Sequence, residues 1–261
     1  MEMALDLAFV ETLMLAGVRL VAFLVVSPPF NVQQFPGSVK VAMGLGIALA
    51  AMPRVTAATD QTPGALLTSS GPGPLLSALV LQAFIGLALG FLVRLVFAAV
   101  QTAGSFIDVF GGFQMASAYD PMEGQQSTVF SKFYATTALA LLFASDGYQL
   151  VIAGIVRSFE VLPLGVAPSL AAMADLMTHG LSQLMVAALQ IAGPLIVVLF
   201  LADVGLGLLT RVAPALNAFA LGFPLKILLT LTLGSVAFLA LPHVISSLTE
   251  QAVGLIVGGG R

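Results

Sequence analysis

The sequence has no cysteine and no tryptophan among its 261 residues, and only 8% of its side chains carry a charge. Without cysteine there is no disulfide framework, no thiolate metal site and no cysteine nucleophile. Without tryptophan the strongest marker of a membrane–water boundary is missing. Basic residues are scarce, nine Lys and Arg against twelve Asp and Glu for a net charge of −3. They are single and scattered, so no basic stripe is available for a phosphate backbone, and nucleic acid is excluded as a partner. His179 and His243 lie far apart with no carboxylate at ligand spacing, no Gly-x-Ser-x-Gly elbow occurs, and no phosphate-cradling glycine loop precedes a lysine. Metal binding, serine hydrolysis and nucleotide hydrolysis therefore lack their residues, and neither enzymatic activity nor a cofactor is expected.

What fills the space is apolar: 59% of the residues are hydrophobic and the mean hydropathy is +1.08. Soluble domains carry roughly 25% charged residues, so the composition is that of a protein embedded in membrane lipid. Lipid offers the backbone no hydrogen-bond partners, which favours helices that satisfy themselves. The expectation is an all-α membrane-associated protein of about six to eight helices. The N-terminus carries Glu2, Asp6 and Glu11 and no base before Arg19, unlike the positive start of a secretory signal, so the first apolar segment is expected to be retained.

Apolar runs are expected at about Leu5 to Val26, Val39 to Met52 and Leu75 to Gln101. Further runs follow at Val129 to Ala144 and Tyr148 to Leu162, broken at Asp146-Gly147, and then at Leu181 to Thr210 and Ala218 to Leu241. The run from Val39 is short for a span that must cross about 30 Å. Residues 53 to 74, rich in Pro, Gly, Ser and Thr, read as an exposed loop. Gly86 and Gly90 stand at the small-xxx-small spacing that lets two helices approach closely.

The stretch Ala103 to Met122, AGSFIDVFGGFQMASAYDPM, is organised differently. Phe106, Phe110 and Phe113 are bulky and apolar, while the Gly111-Gly112 pair interrupts any helix they could share. A helix ending near Phe110 and followed by an irregular apolar segment is expected. At membrane depth, irregular backbone is tolerated only where protein buries it or it lines a cavity, which makes Phe110 to Met115 a candidate constriction. Ordinary core packing of these aromatics and Met115 is the competing reading, although methionine adapts well to irregular surfaces.

Ionisable groups inside apolar runs are costly and mark candidate sites. Here they are Glu11, Arg19, Arg94, Asp108, Asp203 and Lys226. Ion pairs between helices or subunits, an acid with Arg94 or Lys226, account for them most simply. An ion-coupled secondary transporter using Asp108 or Asp203 is the alternative.

The run LADVGLGLLTRVAPALNAFALGFPLKI, Leu201 to Ile227, closely resembles the signature of the FliR family, whose injectisome relatives are called SctT. Asp203, Gly205, Arg211, Pro214, Asn217, Phe219, Phe223, Pro224 and Lys226 carry the match. It extends to Arg19 with Pro28-Pro29-Phe30 and Pro36, to GSFIDVFGGFQMASAYDP, and to Ser158-Phe159 with Pro163-Leu164-Gly165. The resemblance implies a subunit of the flagellar type III export gate in the bacterial inner membrane at the flagellar basal body. It implies assembly with FliP and FliQ, work with FlhB and FlhA, and passage of unfolded flagellar cargo. Residues 1–168 would be FliP-like, containing the plug, and 169–261 a FliQ-like helical hairpin with a C-terminal tail.

By the same resemblance, Phe106, Phe110, Gly111, Gly112, Phe113, Gln114 and Met115 would form the pore plug. Arg94, Asp203, Arg211, Asn217, Pro224 and Lys226 would contact neighbouring subunits. An injectisome subunit is the nearest alternative, and a scaffold that only nucleates assembly is another. The chain departs from the family pattern at Gln82, where an acid is expected in many relatives.

Overall fold

The computed structural model describes residues 7–31, 36–58, 73–114, 129–213 and 218–258. Among the described residues there is no strand, and seven helices follow one another. They are α1 (Leu7–Val26), α2 (Gly37–Ala58), α3 (Gly73–Gly111), α4 (Val129–Ala144), α5 (Gly147–Val161), α6 (Leu170–Val212) and α7 (Ala218–Gly258). The all-α expectation holds. Five stretches are long and apolar enough to cross a membrane: Phe9–Val26, Gly37–Ala58, Gly73–Gly111, Leu170–Val212 and Ala237–Ile256. The chain is a membrane-embedded protein.

Several boundaries differ from those read off the sequence. α2 does not stop at Met52 but continues through Pro53 to Ala58, reaching 22 residues and a spanning length. Proline removes one helical hydrogen bond, yet Ala48, Ala51, Met52 and Val55 on either side of it are buried and hold the helix together across the gap. α6 runs for 43 residues and absorbs His179-Gly180, where the expected run began only at Leu181. A Cβ at Gly180 would come within 3.0 Å of Leu95 Cδ1 on α3, so this glycine makes room for a neighbour instead of ending its helix. α7 likewise passes Pro242 and reaches 41 residues.

The chain divides into two compact units, and α3, α6 and α7 each contribute residues to both. The first comprises Met1–Leu95, Asp146–Gly180 and Thr249–Arg261. Its interior holds Leu20, Phe23, Leu24, Ile85, Leu89, Leu92, Ile155 and Phe159, all nearly inaccessible. α1 and α3 cross here at Gly86 and Gly90. A Cβ at Gly86 would collide with the Arg19 carbonyl oxygen, and one at Gly90 would stand 2.8 Å from that of Phe23. Backbone therefore meets backbone at the spacing the two glycines announce.

The second unit comprises Val96–Ser145 and Leu181–Leu248. Three helical stripes build its core: Val100, Ala103 and Ile107 on α3, Ala188, Ala192, Leu195 and Leu199 on α6, and Leu241, Ile245 and Leu248 on α7. Steps of three and four residues keep each stripe on one face. Tyr134 and Ala138 of α4 close the cluster. Outside it, α6 and α7 expose large apolar side chains, among them Phe200, Leu201, Leu208, Val212, Leu228 and Leu231. An apolar cavity of about 430 Å³ opens between α6 and α7, lined by Gln190, Pro194, Leu195, Leu233 and Ala237 among others.

Candidate functional site

α3 ends at Gly111, one residue beyond the expected point. Gly112 takes φ 81°, a left-handed conformation that glycine alone adopts without strain. The turn is closed by two backbone bonds, Gly112 N to Val109 O at 3.4 Å and Phe113 N to Asp108 O at 3.0 Å. This is the paired pattern of a Schellman cap, with glycine at the position just past the helix. Phe113, the next residue, is turned back and meets Phe130 of α4 edge to face, with ring centroids 5.0 Å apart.

Asp108 links this turn to α4. Its carboxylate is fully buried and accepts from two successive amides at the start of α4: Phe130 N to Oδ1 at 3.0 Å and Ser131 N to Oδ2 at 2.8 Å. These are donors that a helix leaves unpaired in its first turn, and the negative charge suits the positive end of the helix dipole. One turn earlier, a Cβ at Gly104 would come within 2.6 Å of Phe130 O and 2.7 Å of Ser131 Cα. Gly104 and Asp108 share a face four residues apart. The first clears a seat for α4, and the second fastens it there.

α7 covers the other side of the turn. A Cβ on Gly111 would lie 2.8 Å from Thr230 Oγ1, and one on Gly112 would lie 3.4 Å from the Phe223 ring. Phe106 and Phe110 pack, partly buried, against the core of the second unit. Gly111 is buried, Gly112 and Phe113 are half-buried, and Gln114 is exposed. Met115 lies outside the described residues. The structure thus brings Phe106 to Gln114 together at one helix end, divided between a packed base and a less buried tip.

The ionisable residues singled out from the sequence do not converge. Lys226 Nζ stands 2.7 Å from Asp203 Oδ1, so these two pair within the chain. Asp108 is engaged with α4. Arg94 is exposed on α3, Arg211 is exposed in the last turn of α6 where a positive charge suits the dipole, and Pro224 is exposed near the start of α7. Asn217 lies outside the described residues. Among the described residues no cluster of three or more His, Asp or Glu is arranged to hold a metal.

Glu11 is also buried, and Arg19 is a second fully buried ionisable residue. Its side chain is fully enclosed in the first unit, with Nε donating to Gln82 Oε1 at 2.7 Å and one terminal nitrogen facing Ser158 O at 3.4 Å. The guanidinium carbon sits 4.3 Å from the centroid of the Phe159 ring, a cation–π contact. The second terminal nitrogen and the Gln82 amide nitrogen have no partner. A neutral amide stands where a carboxylate would accept both bonds of the fork.

Sequence reasoning missed the roles of Gly104, Phe130, Phe223 and Thr230, and it offered Asp108 as a member of an ion pair between helices or subunits or, alternatively, as a group for ion coupling. Helix caps are recognisable when the capping side chain immediately precedes its helix. Here the acceptor lies 22 residues before the amide it binds, a distance at which no local pattern exists.

The model of a family described as bacterial export proteins, family 1, matches residues 10–252. A flagellar biosynthetic protein FliR of Bacillus subtilis is 34% identical over 182 residues, 67% of this chain and 70% of that protein. Its namesake in Escherichia coli is 31% identical over 233 residues, 89% of this chain and 85% of that one. The Yop proteins translocation protein T of Yersinia pestis is 29% identical over 147 residues, 56% of each.

Proposed function

The chain belongs to family 1 of the bacterial export proteins, the FliR family, and from that membership we propose that it is a core subunit of the flagellar type III export gate. In this reading it sits in the bacterial inner membrane at the flagellar basal body, in a hetero-oligomer with FliP and FliQ. It works with FlhB and FlhA, and the assembly is the entry channel for unfolded flagellar proteins. The chain binds no cofactor and performs no chemistry. The match to the two flagellar relatives over 67% and 89% of the chain, against 56% for the injectisome relative, supports the flagellar assignment.

The observation that carries the pore-closing role is the capped end of α3. Gly111 and Gly112 turn the chain sharply and deliver Phe113 to the surface of a packed base. Residues Phe110 to Met115 form the plug, with Phe106 in its support. The exposed apolar side chains of α6 and α7 suit burial against partner subunits. In the same reading the chain is FliP-like up to residue 168 and a FliQ-like hairpin with its tail from 169, a division by kinship that differs from the two compact units. Arg94, Arg211, Asn217 and Pro224 serve as contacts to those partners, and so does the Asp203–Lys226 pair. An ion-coupled transporter is disfavoured, because Asp108 is committed to two amides and Asp203 to a lysine.

The test is deletion of residues 110 to 115 within the assembled complex. Ion leakage across the membrane should rise while the complex is still recovered. Unchanged conductance with intact assembly would remove the plug from the account.

A further inference from the structure

One residue holds both sides of the capped turn. The backbone carbonyl of Asp108 accepts from Phe113 N, and its carboxylate accepts from Phe130 N and Ser131 N. We infer that Asp108 is a positioning residue of the closed gate, fastening the Gly111–Phe113 turn to the first turn of α4 and so fixing where the Phe113 ring stands. This rests on the reading of Phe110 to Met115 as the pore-closing segment.

The geometry is that of a fastener under close constraint. The carboxylate is sealed from solvent and uses both oxygens on adjacent amides, which fixes the direction of α4 as well as its distance. Gly104 brings the two helices so near that a methyl group has no room, and α4 cannot slide away while the bonds hold. The Phe130 ring, carried by one of the two bonded residues, is the surface on which Phe113 rests. Removing the carboxylate takes the acceptor from one buried and one partly buried amide. The first turn of α4 then loosens, Phe130 loses its fixed place, and Phe113 loses its support. Asp108 touches no cargo in this scheme and acts only through the turn and the ring.

The experiment uses the whole complex in membranes. Asp108→Ala removes both side-chain acceptors, whereas Asp108→Asn keeps one oxygen and sets an amide nitrogen against the other donor. Ionic conductance and amide hydrogen exchange at Phe113, Phe130 and Ser131 are read in each, alongside the yield of assembled complex. At near-normal yield, Asp108→Ala should raise conductance severalfold and lose protection at all three amides together, with Asp108→Asn between it and the parent. Conductance at the parental level in assembled Asp108→Ala, while deletion of 110 to 115 still raises it, overturns the inference and leaves the plug standing. If the deletion itself changes nothing, the plug reading fails first. The fastener then survives only if the three amides lose protection in concert, and retained protection at Phe113 overturns it as well. Failure of both variants to assemble makes Asp108 a folding element alone, which also overturns it.

Discussion

Asp203 of α6 and Lys226 of α7 lie 2.7 Å apart, in one chain, on either side of the connector between the two helices. Each belongs to the set expected to reach other subunits, yet each finds its opposite charge at home. The side chains are 46% and 21% exposed respectively, so in water such a pair contributes only about 0.2–1 kcal/mol. Charge reversal separates the two roles. Asp203→Lys or Lys226→Asp alone should lower the yield of assembled complex, and the double exchange should restore most of it. A double variant as poor as either single one would mean that each residue meets a neighbour's charge on its own and not as a member of the pair.

Gln82 gives a second prediction. Arg19 is buried against an amide that supplies one acceptor, and both the arginine and the glutamine keep an orphaned donor. Gln82→Glu replaces the orphaned amide nitrogen with a second acceptor oxygen for the unpaired nitrogen of the fork. It should raise the thermal stability of the purified protein in detergent by roughly 1.5–3 kcal/mol, the scale of hydrogen bonds to charged groups. Gln82→Leu should do the opposite and cost more than Arg19→Met, since it strands a buried cation while the other removes it. Equal losses in Gln82→Leu and Arg19→Met would show that packing alone matters there.

At the α1–α3 crossing, Gly86→Ala should destabilise the protein by about 1–3 kcal/mol, the range for overpacking, because its methyl group meets the fixed carbonyl of Arg19. Gly73→Ala, with nothing within 4 Å, is the control and should leave the midpoint of thermal unfolding near that of the parent. Equal midpoints for both variants would mean that the crossing adjusts freely.

The two glycines that close α3 should fail for different reasons. Gly112→Ala has room but must hold φ 81°, at a cost on the order of 1 kcal/mol that Gly112→Asn should partly avoid. Gly111→Ala meets Thr230 Oγ1 at 2.8 Å, so its loss of stability should be relieved by adding Thr230→Ala. Melting of the four variants in detergent checks both claims. Alanine and asparagine behaving alike at position 112 would deny the conformational explanation.

The sequence made some of this plain and hid the rest for physical reasons. The end of α3 and the Gly86-Gly90 crossing were legible because glycine acts locally and helical spacing repeats at fixed intervals. Asp146, placed at the break between α4 and α5, adopts φ 55°, as short polar residues at breaks do. Arg19, Ser158 and Phe159 were all among the features of the family resemblance, but nothing in a linear pattern says that they meet. The continuation of α2 through Pro53 and of α6 through Gly180 was illegible because packing from distant residues outweighs a local breaker. The Asp108 cap was illegible for the same reason, since its partners arrive from across a long connection.

The lengths of α3, α6 and α7, at 39, 43 and 41 residues, have one more consequence. At 1.5 Å of rise per residue they measure about 58 to 65 Å, twice the roughly 30 Å of oil in a bilayer. Followed along the chain, and through Pro194 of α6 and Pro224 and Pro242 of α7, each has more turns than one crossing uses at tilts of up to about 40°. The surplus turns carry exposed apolar side chains such as Phe200, Leu201, Leu228 and Leu231, and surface of that kind has to be covered by lipid or by protein.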